Sequence, residues 1–156
     1  MPEDAVFGTT KTLFIRAKVV WNGVQPSQEI LCASYGEHRA GFQLYISEVG
    51  KPTMVSRNAI MLWQYVAWQK PLVPGREYEL TGIRTDGALW ISVDGGPAER
   101  VVLGAGQITL DHPETFMIGN GFTAGSEIRM VEVGSGWPVN VPRPRGINAF
   151  AWEDIR

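Results

Sequence analysis

Period-two alternation of apolar and polar residues is the feature that most constrains this chain. In "TLFIRAKVVW", Leu13, Ile15, Ala17, Val19 and Trp21 fall on one side of an extended strand, with Phe14, Arg16, Lys18 and Val20 on the other. "GFQLYIS" sets Phe42, Leu44 and Ile46 against Gln43, Tyr45 and Ser47. "EYELTGIR" sets Tyr78 and Leu80 against Glu77, Glu79 and Thr81, and "ALWISV" sets Leu89, Ile91 and Val93 against Trp90 and Ser92. Shorter strand candidates lie at 29–34, 53–57, 59–67, 99–103, 115–119 and 127–133. A two-residue repeat keeps one face buried only on a strand, because a helix turns every 3.6 residues. Turn signals separate the strands: Asn22-Gly23, Val49-Gly50-Lys51-Pro52, Pro74-Gly75, Asp86-Gly87 and Asp94-Gly95-Gly96. No internal repeat is present, and no window carries a helical stripe. The pattern predicts an all-β protein: two antiparallel sheets packed as a jelly-roll sandwich.

A chain of 156 residues with 44% apolar and 19% charged residues is long and apolar enough to form one self-sufficient core. Its net charge of −2 and lack of a basic run argue against general nucleic-acid binding. No apolar stretch approaches the ~20 residues of a membrane span, so no membrane insertion is expected. The start "MPEDAVFGTTK" has no hydrophobic run of signal-peptide type, which predicts synthesis in the cytoplasm. Cys32 is the only cysteine, which excludes an internal disulfide and reads as a small core residue.

Residues 1–10 read as an N-terminal arm and residues 11–133 as the sandwich domain. From Gly134 the alternation stops. Pro138, Pro142 and Pro144 fix φ and remove backbone donors, so residues 134–156 read as an extended tail. That tail nevertheless carries Trp137, Phe150 and Trp152, aromatic residues that need a surface to pack on. All three are docking candidates.

"KTLFIRAKVVW", "ILCASYGEHRAGFQLYISEVG", "LVPGREYELTGIRTDGALWISVDGG" and "FMIGNGFTAGSEIRMVEV" follow one another in the chain. Together they resemble the concanavalin A-like lectin and glucanase superfamily, specifically its laminin-G-like branch. The hairpin around "DGALWISVDG" is the most distinctive part. The resemblance covers residues 11–133 and implies the jelly-roll architecture. It does not fix an activity, since such sandwiches serve as lectins, hydrolases and structural modules.

Asp-Gly pairs suit two-residue hairpin corners, which need positive φ at both central positions. They also raise the possibility of calcium, which laminin-G-like domains often hold at a sandwich rim. Calcium takes six to eight oxygen ligands, and Asp94, Asp111 and Asn120 are the candidates here. The resemblance to glucanases would imply a Glu-x-Asp-x-Glu strand, but the nearest match is Glu77-x-Glu79 followed by Thr81. Glu127 and Glu132 are five apart, which places them on opposite faces of an unbulged strand. No nucleophile setting accompanies His38 or His112, so no enzyme activity is expected.

The stretch "AIMLWQYVAWQ" is apolar on both faces, and either packs or offers a platform for sugar rings. Trp63, Tyr65 and Trp90 are the glycan-stacking candidates; Trp90 could instead be covered by Trp137 or Trp152. The expected function is a non-catalytic structural or surface module of a larger assembly. A virion decoration, fibre or tail-type protein with glycan recognition is the favoured form. Its partners would be other subunits, reached through both tails in an oligomeric or docked state, and cell-surface polysaccharide. A stand-alone lectin-like module is the alternative, and a glycoside hydrolase the third reading. No cofactor other than calcium is expected.

Overall fold

The computed structural model describes residues 12–23, 29–36, 41–57, 63–85, 87–103, 113–120 and 125–144, with backbone only at 29–36, 57, 63, 113–118 and 120. Its ten strands are β1 (Leu13–Val20), β2 (Glu29–Gly36), β3 (Gly41–Ile46), β4 (Pro52–Arg57), β5 (Trp63–Ala67), β6 (Glu77–Arg84), β7 (Ala88–Val93), β8 (Glu99–Val102), β9 (Pro113–Asn120) and β10 (Glu127–Ser135). Each expected strand has a counterpart among the described residues, the candidate at 59–67 from Trp63 onward with 59–62 lying outside them, and no described residue is helical. No helix among the described residues is long and apolar enough to cross a membrane.

The strands form two five-stranded sheets. Sheet A has the order β10-β1-β6-β7-β8 and sheet B the order β5-β4-β3-β2-β9. All pairings are antiparallel. Strands β2 to β5 are laid down consecutively in sheet B, β6 to β8 in sheet A, and β9 and β10 then return to the two sheets in turn. The N-terminal and C-terminal strands β1 and β10 pair with each other, which closes the domain.

The inward residues are those the alternation selects. Leu13, Ile15, Ala17, Val19, Leu80, Leu89 and Ile91 from sheet A meet Phe42, Leu44, Ile46, Met54 and Val66 from sheet B. Gly82 lies on the inner side of β6 because Met54 fills the space: a Cβ there would come within 2.6 Å of its sulfur. Gly50 is under a double constraint. Its φ of +80° disfavours any side chain, and a Cβ would sit 2.5 Å from the ring of Trp21. Gly50→Ala is therefore expected to cost about 2 kcal/mol or more. A urea titration reads this as a lower midpoint, and an unchanged midpoint would mean that Trp21 can move aside freely.

A second, smaller cluster lies on the outer side of sheet A. Ile83, Ala88, Trp90 and Val141 are buried there, with Phe14, Ala98 and Trp137 packed against them. Here β10 and the chain after it depart from the sequence reading, which ended the sandwich at residue 133. The strand continues to Ser135, and residues 137–141 fold back as a strap over β6 and β7. Trp137 meets Trp90 edge to face, with centroids 5.2 Å apart, and its Nε1–H donates to the Val141 carbonyl at 2.9 Å. Asn140 anchors the strap by donating from Nδ2 to Glu79 Oε1 at 2.7 Å and to Thr81 Oγ1 at 3.2 Å.

Candidate functional site

The outer side of sheet B differs from that of sheet A, because one aromatic side chain on it stands in solvent. On β3, Phe42, Leu44 and Ile46 enter the core, so Gln43 and Tyr45 turn outward. On β4, Met54 enters the core, so Thr53 and Val55 turn outward; on β5, Val66 does so and leaves Tyr65 outward. Register aligns these groups in two rows across the sheet. Gln43 lies opposite Val55, which lies opposite Tyr65; Tyr45 lies opposite Thr53, which lies opposite Ala67.

Gln43, Thr53 and Val55 form a closed floor, at 5%, 2% and 5% exposure. Tyr65 is 61% exposed above it. Tyr45 is half-buried, diagonal to Tyr65 across β4. Burial raises its phenol pKa above the ordinary 10.0; a hydrogen bond with Thr53 opposes this, and the neighbouring Tyr65 adds to it. The described part of this face therefore offers one exposed ring, Tyr65, with the half-buried phenol of Tyr45 diagonal to it and buried Gln43, Thr53 and Val55 beneath. An exposed ring can stack on a sugar ring, and a phenol hydroxyl can bond its hydroxyls without a charge.

The raised Tyr45 pKa has a stability consequence. Folding favours the protonated phenol, so its contribution is complete below pH 10 and is lost as the pH rises through the higher folded value. An alkaline denaturation series should show wild type losing stability above pH 10 more steeply than Tyr45→Phe. Parallel curves for the two proteins would remove Tyr45 as the cause.

Trp90 does not share the exposure of Tyr65. As a stacking candidate it requires correction: it is only 3% exposed, covered by Trp137, with the Arg100 guanidinium 5.6 Å from its ring centroid. Its indole N–H donates to Thr85 Oγ1 at 3.3 Å. Trp63 opens β5, opposite Arg57 and two residues before Tyr65, and its side chain lies outside the described residues. Of the docking candidates, Trp137 packs on its own domain, while Phe150 and Trp152 lie outside the described residues.

Asp94 serves the turn. It is the one described non-glycine residue with positive φ, at 53°, and Gly95 follows at 70°. The pair makes the expected mirror-image hairpin corner, closed by Gly96 N–H to the Val93 carbonyl at 3.1 Å. Both carboxylate oxygens of Asp94 have partners: Oδ1 accepts from the Glu79 N–H at 2.9 Å and Oδ2 from Arg76 at 3.1 Å. Asn120 ends β9 with its side chain undescribed, and Asp111 and Asp86 lie outside the described residues. Among the described residues, no three His, Cys, Asp or Glu side chains gather as a metal site.

Three acidic residues on the outer side of sheet A are paired with arginines. Glu77 and Glu127 both meet Arg129, and Glu132 meets Arg16. A register shift corrects the expectation for Glu127 and Glu132. Lys18 pairs with Met130 but Val19 with Ile128, so Arg129 is an extra residue in β10. That bulge brings Glu127 and Glu132 to the same outer side, where sequence spacing alone had separated them.

No family model matches the sequence, and no curated protein sequence matches it. Among solved structures, the chain is similar to the ligand-binding domain of botulinum neurotoxin serotype D, solved in complex with N-acetylneuraminic acid. The TM-score is 0.69 at 11% identity, covering 86% of this chain and 35% of that one. It is also similar to the binding domain of botulinum neurotoxin serotype G, with a TM-score of 0.60, 7% identity, and coverage of 90% and 37%. Sheep galectin-11, solved with glycerol, matches with a TM-score of 0.50 and 14% identity over 82% of this chain and 93% of that one. The chain spans about a third of the length of the neurotoxin chains. At these identities the likeness is one of fold: a β-sandwich.

Proposed function

We propose that this chain is a non-catalytic glycan-binding module whose site is the outer face of β3, β4 and β5. The observation that carries this reading is Tyr65. A large ring 61% exposed over buried Gln43, Thr53 and Val55 has no packing role among the described residues that would account for it. The half-buried Tyr45 places a phenol hydroxyl on the same side of the sheet. The fold neighbours support the same reading, since one was solved with a sialic acid and another is a galectin. The laminin-G-like assignment remains part of the proposal and rests on the hairpin that ends in Asp94-Gly95.

The strap bears on the choice between a self-contained binder and an assembly module. Of the two places open to Trp137, an outside partner or its own Trp90, it takes the second, which favours a self-contained binder. A role at the surface of a virion or other particle then depends on Phe150 and Trp152. The test is a glycan-array screen of the purified full chain, with hits measured by titration calorimetry. A saturable hit is expected; the absence of any hit across neutral and sialylated glycans would overturn the reading.

A further inference from the structure

The outer face of β3, β4 and β5 extends one row past Gln43, Val55 and Tyr65. Residues two apart on a strand share a side, so Gly41, Arg57 and Trp63 hold the next outward positions of β3, β4 and β5. Backbone register sets Gly41 opposite Arg57, and Arg57 opposite Trp63. The face is thus a grid of three rows: Gly41-Arg57-Trp63, Gln43-Val55-Tyr65 and Tyr45-Thr53-Ala67. Strand β4 runs down its middle, between β5 and β3.

Arg57 is the one charged residue of this grid. Its neighbours in sequence do not offset it: the β4–β5 connection, "NAIML", has no charge, and the β2–β3 connection, "EHRA", has one acid and one arginine. Glu48 and Lys51 lie in the β3–β4 turn, past the Tyr45 row and at the opposite end of the grid from Arg57. Arg57 and the exposed Tyr65 hold diagonal positions on neighbouring strands, which lie about 7–8 Å apart. One sugar ring with its substituents bridges that separation. Every other residue of the grid is neutral at pH 7, so Arg57 alone can tell an acidic sugar from its neutral counterpart by charge.

Resting on the reading that this face binds glycan, we propose that its ligand is a carboxylate-bearing sugar and that Arg57 is the residue that selects for the carboxylate. A guanidinium presents two parallel N–H groups that match the two oxygens of a carboxylate, which fixes orientation as well as charge. Gly41 contributes no side chain beside Arg57, so a ring substituent can approach from the β3 side. Arginine opposite an aromatic residue is itself a favourable cross-strand pair. Stacking of that kind engages the flat face of the guanidinium and leaves its N–H edge for a ligand. Sialic and uronic acids both carry such a carboxylate, and the test includes one of each.

The test is titration calorimetry of the full chain with sialyllactose, trigalacturonate, the methyl ester of each, and lactose. Each ester keeps the sugar and removes the charge. One acid is expected to bind about tenfold or more tighter than its ester, and which acid does so names the source of the carboxylate. R57Q should bring that acid to within about twofold of its ester and leave the ester at its wild-type affinity. R57K, which keeps the charge without the fork, should fall between. The ester also reports that the face of R57Q is intact. Equal binding of acid and ester by wild type, or an acid preference that survives R57Q, would overturn the inference and leave the glycan reading standing. If none of these probes binds, the inference falls, and the glycan array decides separately whether the reading beneath it falls too.

Discussion

Trp90→Ala is expected to lower the unfolding free energy by about 3–5 kcal/mol, the usual cost of deleting a buried tryptophan. Trp90 is 3% exposed and is the largest buried side chain in the outer cluster of sheet A. Its removal takes away the surface under Trp137 and the indole donor to Thr85 Oγ1, and leaves Arg100 without the ring it lies over. The strap should loosen as well, because Val141 is buried only while this cluster is intact. Urea unfolding should show the lower midpoint, and the melting temperature should fall by roughly 10 °C. Limited proteolysis should open new cleavage between residues 136 and 144. Trp137→Ala should loosen the strap at a smaller cost, since Trp137 is only half-buried. A Trp90→Ala protein with wild-type midpoint and an uncut strap would show that this cluster contributes little to the fold.

Tyr65→Ala should have the opposite profile. Its ring is 61% exposed, so stability should change by no more than about 0.5 kcal/mol. Affinity for a glycan found in the array screen should fall about tenfold or more, since tenfold corresponds to ~1.4 kcal/mol and a central aromatic contact often carries more. Tyr65→Phe keeps the ring and should keep most of the affinity; the difference between the two variants separates stacking from the hydroxyl contribution. Calorimetry with the same glycan gives all three values. Unchanged affinity in Tyr65→Ala, with binding still present, would place the sugar elsewhere on the molecule.

The two aromatic residues show how far the sequence could reach toward the site. Trp90 and Tyr65 both alternate with core residues, and both turn away from the core of their own sheet. Their patterns are equivalent, so both were reasonable stacking candidates. What separates them is a contact between elements far apart in the chain: the strap at 137–141 crosses β7 and covers Trp90, while no described residue covers Tyr65 in the same way. The place of Tyr45 diagonal to Tyr65 was not legible for a similar reason. Only the register of β3, β4 and β5 sets it diagonal to Tyr65 beside Thr53.

By itself, the sequence determined the secondary structure, the inward side of the principal strands and the chemistry of the Asp94-Gly95 corner. These depend on local rules: a two-residue period in side-chain direction, and the positive φ that a mirror-image hairpin turn requires. Tertiary structure alone decided which outward residues remain in water. It folded residues 137–141 onto sheet A, and through one extra residue at Arg129 it moved Glu127 and Glu132 to the same side. The physical reason is that alternation specifies a side chain's direction relative to its own strand, whereas burial on the outer face depends on which distant segment arrives there.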